Sequence, residues 1–261
     1  MNLQLNDKTA LVTGSTAGIG YAIAKLLLQE GATVYINGRK QQTIDEVTEQ
    51  LKKEIPGAKV QGIAADFSKT EDIDNLLMEL PEVDILINNV GIFEPKPFAE
   101  ITDADWFNFF EVNVMSGVRL SRHYFPKMLA KNEGRIIFIS SESAINIPED
   151  MIHYGFTKTA MLSVSRGLAE LTKGTNVTVN CVLPGPTLSA GVEEMTGLNK
   201  GGSKEETEKD FFTNTRPTSI LQRFTSPDEI ANTVVYIASP LASATNGAAI
   251  RADGGVVKTI I

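Results

Sequence analysis

Tyr154 and Lys158 are the side chains in this sequence that are best placed to exchange a proton with a substrate. They lie four residues apart in a segment of helical periodicity, so a helix would project both from one face. A tyrosine hydroxyl has a pKa near 10, and lowering it to about 7 takes roughly 4 kcal/mol. A lysine ammonium about 4 Å away provides an interaction of about that size at an intermediate dielectric. The pair therefore predicts a tyrosine general acid and base whose pKa is lowered by Lys158.

Three serines precede this pair and are candidates for holding a substrate oxygen. Ser141 lies thirteen residues before Tyr154, just after the apolar residues 136–139. Open α/β sheets bind ligands at the carboxyl ends of their strands, so a hydroxyl at this position would face a substrate. Ser140 and Ser143 fit the same description, and spacing does not choose among the three. A Tyr-x-x-x-Lys pair also occurs by chance on helix surfaces, so its interpretation depends on the rest of the chain.

A glycine-rich turn follows the first apolar segment of the chain. Residues 13–20 read Thr-Gly-Ser-Thr-Ala-Gly-Ile-Gly and lead into a helical pattern. Glycines at such a junction permit a sharp turn and let the backbone approach a pyrophosphate, while the helix N-terminus supplies free N–H groups. Because the turn stands between a strand and a helix, it predicts a dinucleotide site rather than an ordinary tight turn. The expected cofactor contacts in it are Gly14, Ser15, Thr16, Gly18, Ile19 and Gly20.

The end of the second predicted strand indicates which dinucleotide binds. An NAD site usually carries an acidic residue there for the ribose 2′-hydroxyl, whereas an arginine accommodates a 2′-phosphate. No acid occurs at positions 32–44, where Arg39 and Lys40 stand. Both are also compatible with ordinary solvated charges, but beside the glycine turn they favour NADP(H), with NAD(H) as the alternative. After the third strand, Asp66 and Phe67 fit the adenine end of the cofactor, and Asp66 fits a turn before the next helix equally well.

Composition and charge exclude several classes of protein. The net charge of −8 argues against a surface that binds nucleic-acid phosphates. A single cysteine, Cys181, can neither form an internal disulfide nor support a metal cluster. The chain begins without a basic and apolar leader, and no run approaches the roughly 20 apolar residues of a membrane span. We therefore expect a cytoplasmic protein that acts on a small molecule, without nucleic acid, membrane or metal.

Strand-like and helical segments alternate along the whole chain. Strands are predicted at residues 9–13, 32–37, 59–64, 84–88, 135–140, 177–183 and 248–252, and helices at residues 19–29, 41–54, 71–79, 104–120, 152–171 and 227–238. This alternation needs crossover connections, which predicts one Rossmann-type, doubly wound α/β domain over residues 1–261, with a parallel sheet and helices on both faces. The polar residues 188–217 exceed an ordinary connection and predict either a substrate lid or an ordered insertion.

Together these features resemble the short-chain dehydrogenase/reductase family, from about Lys8 to Gly255. The glycine turn matches the family pattern Thr-Gly-x-x-x-Gly-x-Gly, and the family's Asn-Asn-Ala-Gly motif appears at residues 88–91 with Val90 in place of alanine. The resemblance implies a catalytic tetrad of Asn113, Ser141, Tyr154 and Lys158. It also implies cofactor contacts from Asn89, Gly91, Tyr154, Lys158, Pro184, Gly185 and Thr187. In the family, the tetrad asparagine holds a water that links the lysine to solvent, which is compatible with a second role of Asn113 in binding backbone.

The resemblance implies an NAD(P)(H)-dependent oxidoreductase, with NADPH-dependent reduction of a carbonyl to an alcohol as the leading expectation. A 3-oxoacyl-carrier-protein reductase is one subclass, which would need a basic docking patch such as Arg119, Arg122 and Lys127. A catalytically silent dinucleotide sensor is the alternative from another class, and a related epimerase would need a longer chain. The resemblance further implies a homo-oligomer, a tetramer or a dimer, formed through the helices that carry Asn113 and Tyr154. It makes His153 a neighbour of the site and His123 an ordinary helix residue.

The substrate itself cannot be identified from spacing. Its specificity is expected to come from apolar side chains of residues 188–217 and from the loop at residues 93–98. The lid side chains concerned are Val192, Met195, Leu198, Phe211 and Phe212. They favour a hydrophobic substrate, although the same side chains could instead anchor the segment to the body of the protein.

Overall fold

Seven parallel strands form a single sheet in the computed structural model, which describes residues 2–260. The strand order is β3-β2-β1-β4-β5-β6-β7. The strands are β1 Thr9–Val12, β2 Thr33–Gly38, β3 Lys59–Ala64, β4 Ile85–Asn88, β5 Gly134–Ile139, β6 Val177–Pro184 and β7 Ala249–Ala252. The helices are α1 Gly18–Gln29, α2 Gln41–Glu54, α3 Thr70–Glu79, α4 Asp103–Phe110, α5 Ser116–Lys131, α6 Ile152–Glu170, α7 Ala190–Thr196, α8 Lys204–Asn214 and α9 Pro227–Ala238.

Helices cover both faces of the sheet, so its central strands are apolar throughout. One face packs against α1, α2 and α9, and the other against α3, α5 and α6. In β1, Ala10 and Val12 point to the first face and Leu11 to the second. Every residue of β4, β5 and β6 is buried, as expected for strands that have no solvent side. The predicted doubly wound α/β class is confirmed.

The strand order reverses beside β1, which fixes where a ligand can bind. From β1 the chain proceeds outward to β2 and β3, and then returns to place β4 on the other side of β1. The loops after β1 and β4 therefore leave the same edge of the sheet in opposite directions and open a crevice. Doubly wound sheets bind ligands at this position. The glycine turn follows β1 and the Asn88–Gly91 motif ends β4, so both reach the crevice.

The predicted helix at residues 104–120 is interrupted in the structure. α4 ends at Phe110, one π-helical turn occupies Glu111–Met115, and α5 continues from Ser116 to Lys131. A π turn contains one more residue than an α turn, and such insertions often occur at functional sites. Asn113 lies within the π turn and is buried. The extra residue changes the direction of this side chain relative to a regular helix.

Residues 188–217, called the lid segment below, contain two helices that were not predicted. α7 and α8 lie within it, each capped by a serine, Ser189 and Ser203. The start of the segment is bonded to the stretch that follows it. The Leu188 amide donates to the Thr225 carbonyl at 2.8 Å, and the Thr225 amide donates to the Pro186 carbonyl at 3.0 Å. The segment therefore contains regular helices, and its role as a lid or as an ordered insertion stays a prediction.

Exposed aromatic side chains concentrate on α4 and α6. Phe107 and Phe110 on α4 and Phe156 on α6 are all exposed, and the rings of Phe110 and Phe156 lie 6.5 Å apart. These are the helices expected to form an interface in a homo-oligomer, which stays a prediction that the mass of the purified protein in solution tests. Within residues 2–260, no helix combines the length and the apolar character that a membrane span requires.

Candidate active site

Tyr154 and Lys158 lie on one face of the first two turns of α6. The Lys158 Nζ is 5.5 Å from the centre of the Tyr154 ring, and Phe93 packs edge-on against that ring at 6.2 Å. The Lys158 ammonium donates a hydrogen bond to the Ile139 carbonyl at 3.0 Å, at the end of β5. This bond fixes the lysine beneath the carboxyl edge of the sheet. The structure therefore brings the predicted pair together.

Burial has the largest effect on the pKa values of Tyr154 and Lys158, whereas the sequence predicted that the lysine charge would decide the pKa of the tyrosine. Burial raises the pKa of Tyr154 to about 12, although the neighbouring Ser141 hydroxyl acts in the opposite direction. Burial also lowers the pKa of Lys158 to about 8. The lysine was expected to lower the pKa of the tyrosine towards 7. The protein groups by themselves instead keep Tyr154 protonated at neutral pH, which is the form that can donate a proton.

The hydrogen bonds around β5 distinguish the three candidate serines. The Ser140 hydroxyl donates to the backbone carbonyl of Lys158 at 2.9 Å, so it anchors α6. Ser143 is buried, and its amide donates to the Ser141 hydroxyl oxygen at 3.1 Å. Ser141 caps the short 3-10 turn Glu142–Ala144, and its hydroxyl lies near Tyr154. Ser141 is therefore the serine placed to share a substrate oxygen with Tyr154.

Asn113 connects the loop after β4 with α6. Its Oδ1 accepts from the Ile92 amide at 2.7 Å, and its Nδ2 donates to the Ile92 carbonyl and to the Thr157 hydroxyl, both at 3.0 Å. The Thr157 hydroxyl in turn donates to the Tyr154 carbonyl at 2.7 Å. The expected binding of backbone by Asn113 is confirmed. Its side chain holds two segments of the site together, and its relay role stays a prediction.

Two asparagine side chains shape the glycine turn. The Asn37 Oδ1 accepts from the Gly14 amide at 3.1 Å, and the Asn89 Nδ2 donates to the Thr13 and Gly14 carbonyls at 2.9 and 3.0 Å. At Gly20, a Cβ would lie only 2.4 Å from the Gly14 carbonyl oxygen. The turn thus needs glycine for close packing of its own backbone, and it fits a dinucleotide phosphate. Asn37 was not predicted, because nothing in its spacing distinguishes it from other strand residues.

Two adjoining cavities contain most of the predicted cofactor residues. One, called the Tyr154 cavity below, has a volume of about 230 Å³ and includes Ile19, Asn89, Gly91, Tyr154, Lys158, Pro184, Gly185 and Thr187. The other includes Gly14, Thr16, Arg39, Asp66, Phe67, Asn89 and Gly91. Asn89 and Gly91 line both, so the two cavities meet at the end of β4. Ser15, Gly18 and Gly20 lie in the glycine turn but line neither cavity, and the same holds for Lys40.

Asp66 was predicted either to lie at the adenine end of the cofactor or to form a turn, and its carboxylate forms the turn. Its Oδ1 accepts from the Ser68 amide at 3.0 Å and from the Ser68 hydroxyl at 2.8 Å. These bonds lower the pKa of Asp66, and the positive charge of Arg39 adds a smaller effect in the same direction. Arg39 is exposed at the end of β2 and lines the same cavity. A guanidinium at this edge is available to a phosphate group.

The lid segment lines the Tyr154 cavity, but not with all the expected side chains. Val192, Met195 and Phe211 line it, as does Phe93 from the opposite loop. Leu198 does not line it, and Phe212 packs at 5.2 Å against Phe224, which lies beyond the end of the lid segment. Phe212 is therefore an anchor. Glu142 and Arg216 also line this cavity and were not predicted.

The predicted basic patch and His153 both lie outside the two cavities. Arg119 pairs with Glu111, and Lys127 donates to the Pro81 carbonyl at 2.6 Å. With Arg122 they line neither cavity, and their role as a docking patch stays a prediction. His153 is buried against Phe109, with ring centres 4.1 Å apart. His153 does not line the Tyr154 cavity, which agrees with its expected position beside the site.

Comparisons with known proteins agree with this geometry. The sequence profile of a family described as short chain dehydrogenase matches residues 8–197. YvaG of Bacillus subtilis (strain 168), described as an uncharacterized oxidoreductase, is 52% identical over 100% of both chains. The 3-oxoacyl-[acyl-carrier-protein] reductase FabG of Aquifex aeolicus (strain VF5) is 32% identical over 98% of this chain and 100% of its own. The crystal structure of L-sorbose reductase from Gluconobacter frateurii with NADPH and L-sorbose has a TM-score of 0.91 and 31% identity, over 100% of both chains.

The fold and the site define a dinucleotide-binding oxidoreductase. The sheet reverses its order at a glycine turn, and tyrosine, lysine and serine side chains meet beside it. The chain belongs to the short-chain dehydrogenase/reductase family. Its relatives named above are described as an oxidoreductase and as reductases, so the comparisons give no support to a silent sensor.

Proposed function

We propose that this protein reduces a carbonyl compound to an alcohol with NADPH, and that Tyr154 donates the proton to the carbonyl oxygen. The observation that carries the proposal is that Tyr154, Ser141 and Lys158 line one cavity, which meets the cavity beside the glycine turn at Asn89 and Gly91. A substrate and a dinucleotide can therefore lie against each other there. The related L-sorbose reductase, described with NADPH and L-sorbose, supports this direction of reaction.

Each polar side chain of the site has a separate task in this reaction. Burial keeps Tyr154 protonated, so it acts as an acid toward the carbonyl oxygen, while the Ser141 hydroxyl holds that oxygen in place. Lys158 supplies a positive charge beside the tyrosine and, by resemblance to the family, holds the nicotinamide ribose. Bound NADPH would supply the hydride. Asn113 holds the loop after β4 against α6. Its role in a proton relay is part of the same proposal.

The direct test is the consumption of NADPH by the purified protein with a panel of ketones and aldehydes. The panel includes a 3-oxoacyl thioester, because the Aquifex relative is a reductase of that substrate class. Oxidation of NADPH that depends on a carbonyl compound, with the matching alcohol as product, is the expected result. Tight NADPH binding without turnover on any member of the panel would instead favour a sensor.

Arg39 is expected to set the preference for NADPH. It lines the cavity beside the glycine turn at a strand end that has no acidic residue. Arg39→Ala should weaken NADPH binding about 10-fold, because a charge-assisted contact to the 2′-phosphate is lost, and should leave NADH binding unchanged. Fluorescence titration with both dinucleotides measures this. Arg122→Ala, at an exposed arginine outside both cavities, is the matched control, and equal affinities of the unmodified protein for NADPH and NADH would contradict the prediction.

The lid segment is expected to close over the substrate. α7 and α8 contribute few buried side chains, whereas Leu188 at the start of the segment is bonded to Thr225 and Arg216 near its end is paired with Glu142. Amide hydrogen exchange in α7 and α8 should be fast in the free protein and slower with NADPH and an unreactive substrate analogue. The amides of β5, which is buried at every position, provide the internal reference. Slow exchange in α7 and α8 that does not respond to ligand would show that the segment does not open.

A further inference from the structure

One wall of the Tyr154 cavity carries a buried ion pair that the proton transfer does not use. Arg216 Nε donates to Glu142 Oε1 at 2.8 Å, and the two side chains are only 9% and 4% exposed. Glu142 follows Ser141 directly and begins the 3-10 turn, whereas Arg216 follows α8 at the end of the lid segment. Both line the cavity together with Tyr154. The pair therefore joins the lid segment to the turn that carries the catalytic serine.

The second carboxylate oxygen of Glu142 has no hydrogen-bond partner among residues 2–260. Oε2 is buried, while Oε1 is occupied by Arg216. A buried carboxylate oxygen without a donor is costly, because the hydrogen bonds that water would give it are not replaced. Since Glu142 lines the Tyr154 cavity, a donor on a substrate that displaces the atoms covering Oε2 can compensate this oxygen.

The surroundings of Glu142 specify what kind of donor fits. The ion pair with Arg216 is neutral as a whole, so it favours a neutral donor over an ammonium group. Glu142 is adjacent in sequence to Ser141, which is placed to hold the carbonyl oxygen. The Glu142 charge raises the pKa of Tyr154 and the Arg216 charge lowers it, so both charges lie near the phenol. The donor therefore belongs on a carbon close to the carbonyl.

We propose that Glu142 is a specificity-determining residue whose Oε2 accepts a hydrogen bond from a hydroxyl group adjacent to the substrate carbonyl, so that the protein prefers α-hydroxy ketones. This inference rests on the proposed carbonyl reduction. A 3-oxoacyl thioester has only methylene groups beside its ketone and offers no donor to Glu142. It should be a poor substrate for this chain.

Three small ketones test the preference. Hydroxyacetone carries the donor, butanone replaces the hydroxyl by a methyl group of similar size, and methoxyacetone keeps the oxygen but cannot donate. The unmodified protein should reduce hydroxyacetone with a kcat/KM about 10-fold or more above that of either analogue, because a site built to bind a hydroxyl loses a hydrogen bond with the others. In Glu142→Gln, which loses the negative charge that strengthens this bond, the ratio should fall about 10-fold. Glu149→Gln removes an exposed carboxylate from the neighbouring loop and should leave the ratio unchanged.

The outcomes separate this inference from the proposed function. Equal kcat/KM values for the three ketones, a ratio that survives Glu142→Gln, or preferential reduction of ketones without a hydroxyl would overturn the role of Glu142 while the carbonyl reductase stands. If no carbonyl compound is reduced at all, the proposed function itself fails. Thermal unfolding by circular dichroism shows whether Glu142→Gln folds. If it does not, the comparison of the three ketones on the unmodified protein decides the preference.

Discussion

Replacing Tyr154 by phenylalanine is expected to lower kcat/KM for carbonyl reduction by about 1000-fold. The substitution removes one oxygen atom and leaves the ring, which packs against Phe93 at 6.2 Å. A positioned general acid contributes roughly 100- to 10,000-fold to a rate, and burial keeps this phenol protonated by raising its pKa to about 12. NADPH affinity should stay within about 3-fold, because only the hydroxyl is lost. The measurement is NADPH consumption with the best ketone of the panel.

The control for this variant is Tyr236→Phe. Tyr236 is exposed on α9 and lines neither cavity, so loss of its hydroxyl should leave the rate unchanged. Undiminished reduction by Tyr154→Phe would show that another group donates the proton. An equal loss of NADPH binding and of rate would instead indicate that the phenol contributes to binding rather than to the chemical step.

Much of the fold could be read from the sequence, because buried parallel strands are apolar throughout and alternate with amphipathic helices. The runs that became β4 and β5 are examples, since neither has a residue exposed to water. The π turn around Asn113 could not be read, because one inserted residue hardly changes the spacing of the apolar side chains on either side. α8 was missed because it is mainly polar, although its start carries a readable signal: Ser203 accepts from the Glu206 amide three residues later.

In the candidate site too, residues close together in the sequence could be predicted, whereas residues that meet only in the folded chain could not. Tyr154 and Lys158 lie one helical turn apart, so their spacing carries the signal. Glu142 and Arg216 are 74 residues apart, and no sequence pattern links them before the lid segment folds back onto the 3-10 turn. The direction of the Tyr154 pKa was also out of reach. The Coulomb attraction of a lysine can be estimated from spacing, but the opposing cost of burial depends on everything packed around the phenol.

Lys158→Met is expected to abolish most of the activity and yet to make the protein more stable at pH 7. The ammonium is buried, and its hydrogen bond to the Ile139 carbonyl does not offset burial, which lowers the pKa of Lys158 to about 8. A charge with a proposed role in catalysis is therefore expected to cost free energy of folding. Methionine fills a similar volume without that cost. The rate of carbonyl reduction should fall about 100-fold or more, because both the charge beside Tyr154 and the contact to the cofactor ribose are lost.

The stability difference between Lys158→Met and the unmodified protein should depend on pH in a definite direction. Below pH 8 the lysine is charged in both the folded and the unfolded chain, so the folded state carries the whole cost. Between pH 8 and the ordinary lysine pKa, 10.5, the unfolded chain binds a proton that the folded chain has lost, so raising the pH stabilises the unmodified protein relative to the variant. The difference in the free energy of unfolding should narrow by about 2 kcal/mol from pH 7 to pH 10. Urea denaturation of both proteins at each pH measures it, and the titrating groups that do not interact with Lys158 cancel in the subtraction. Lys173→Met, at an exposed lysine just after α6, should show no such dependence. A pH-independent difference, or a variant less stable at pH 7, would mean that Lys158 is stabilised in the folded state by its surroundings rather than strained by burial.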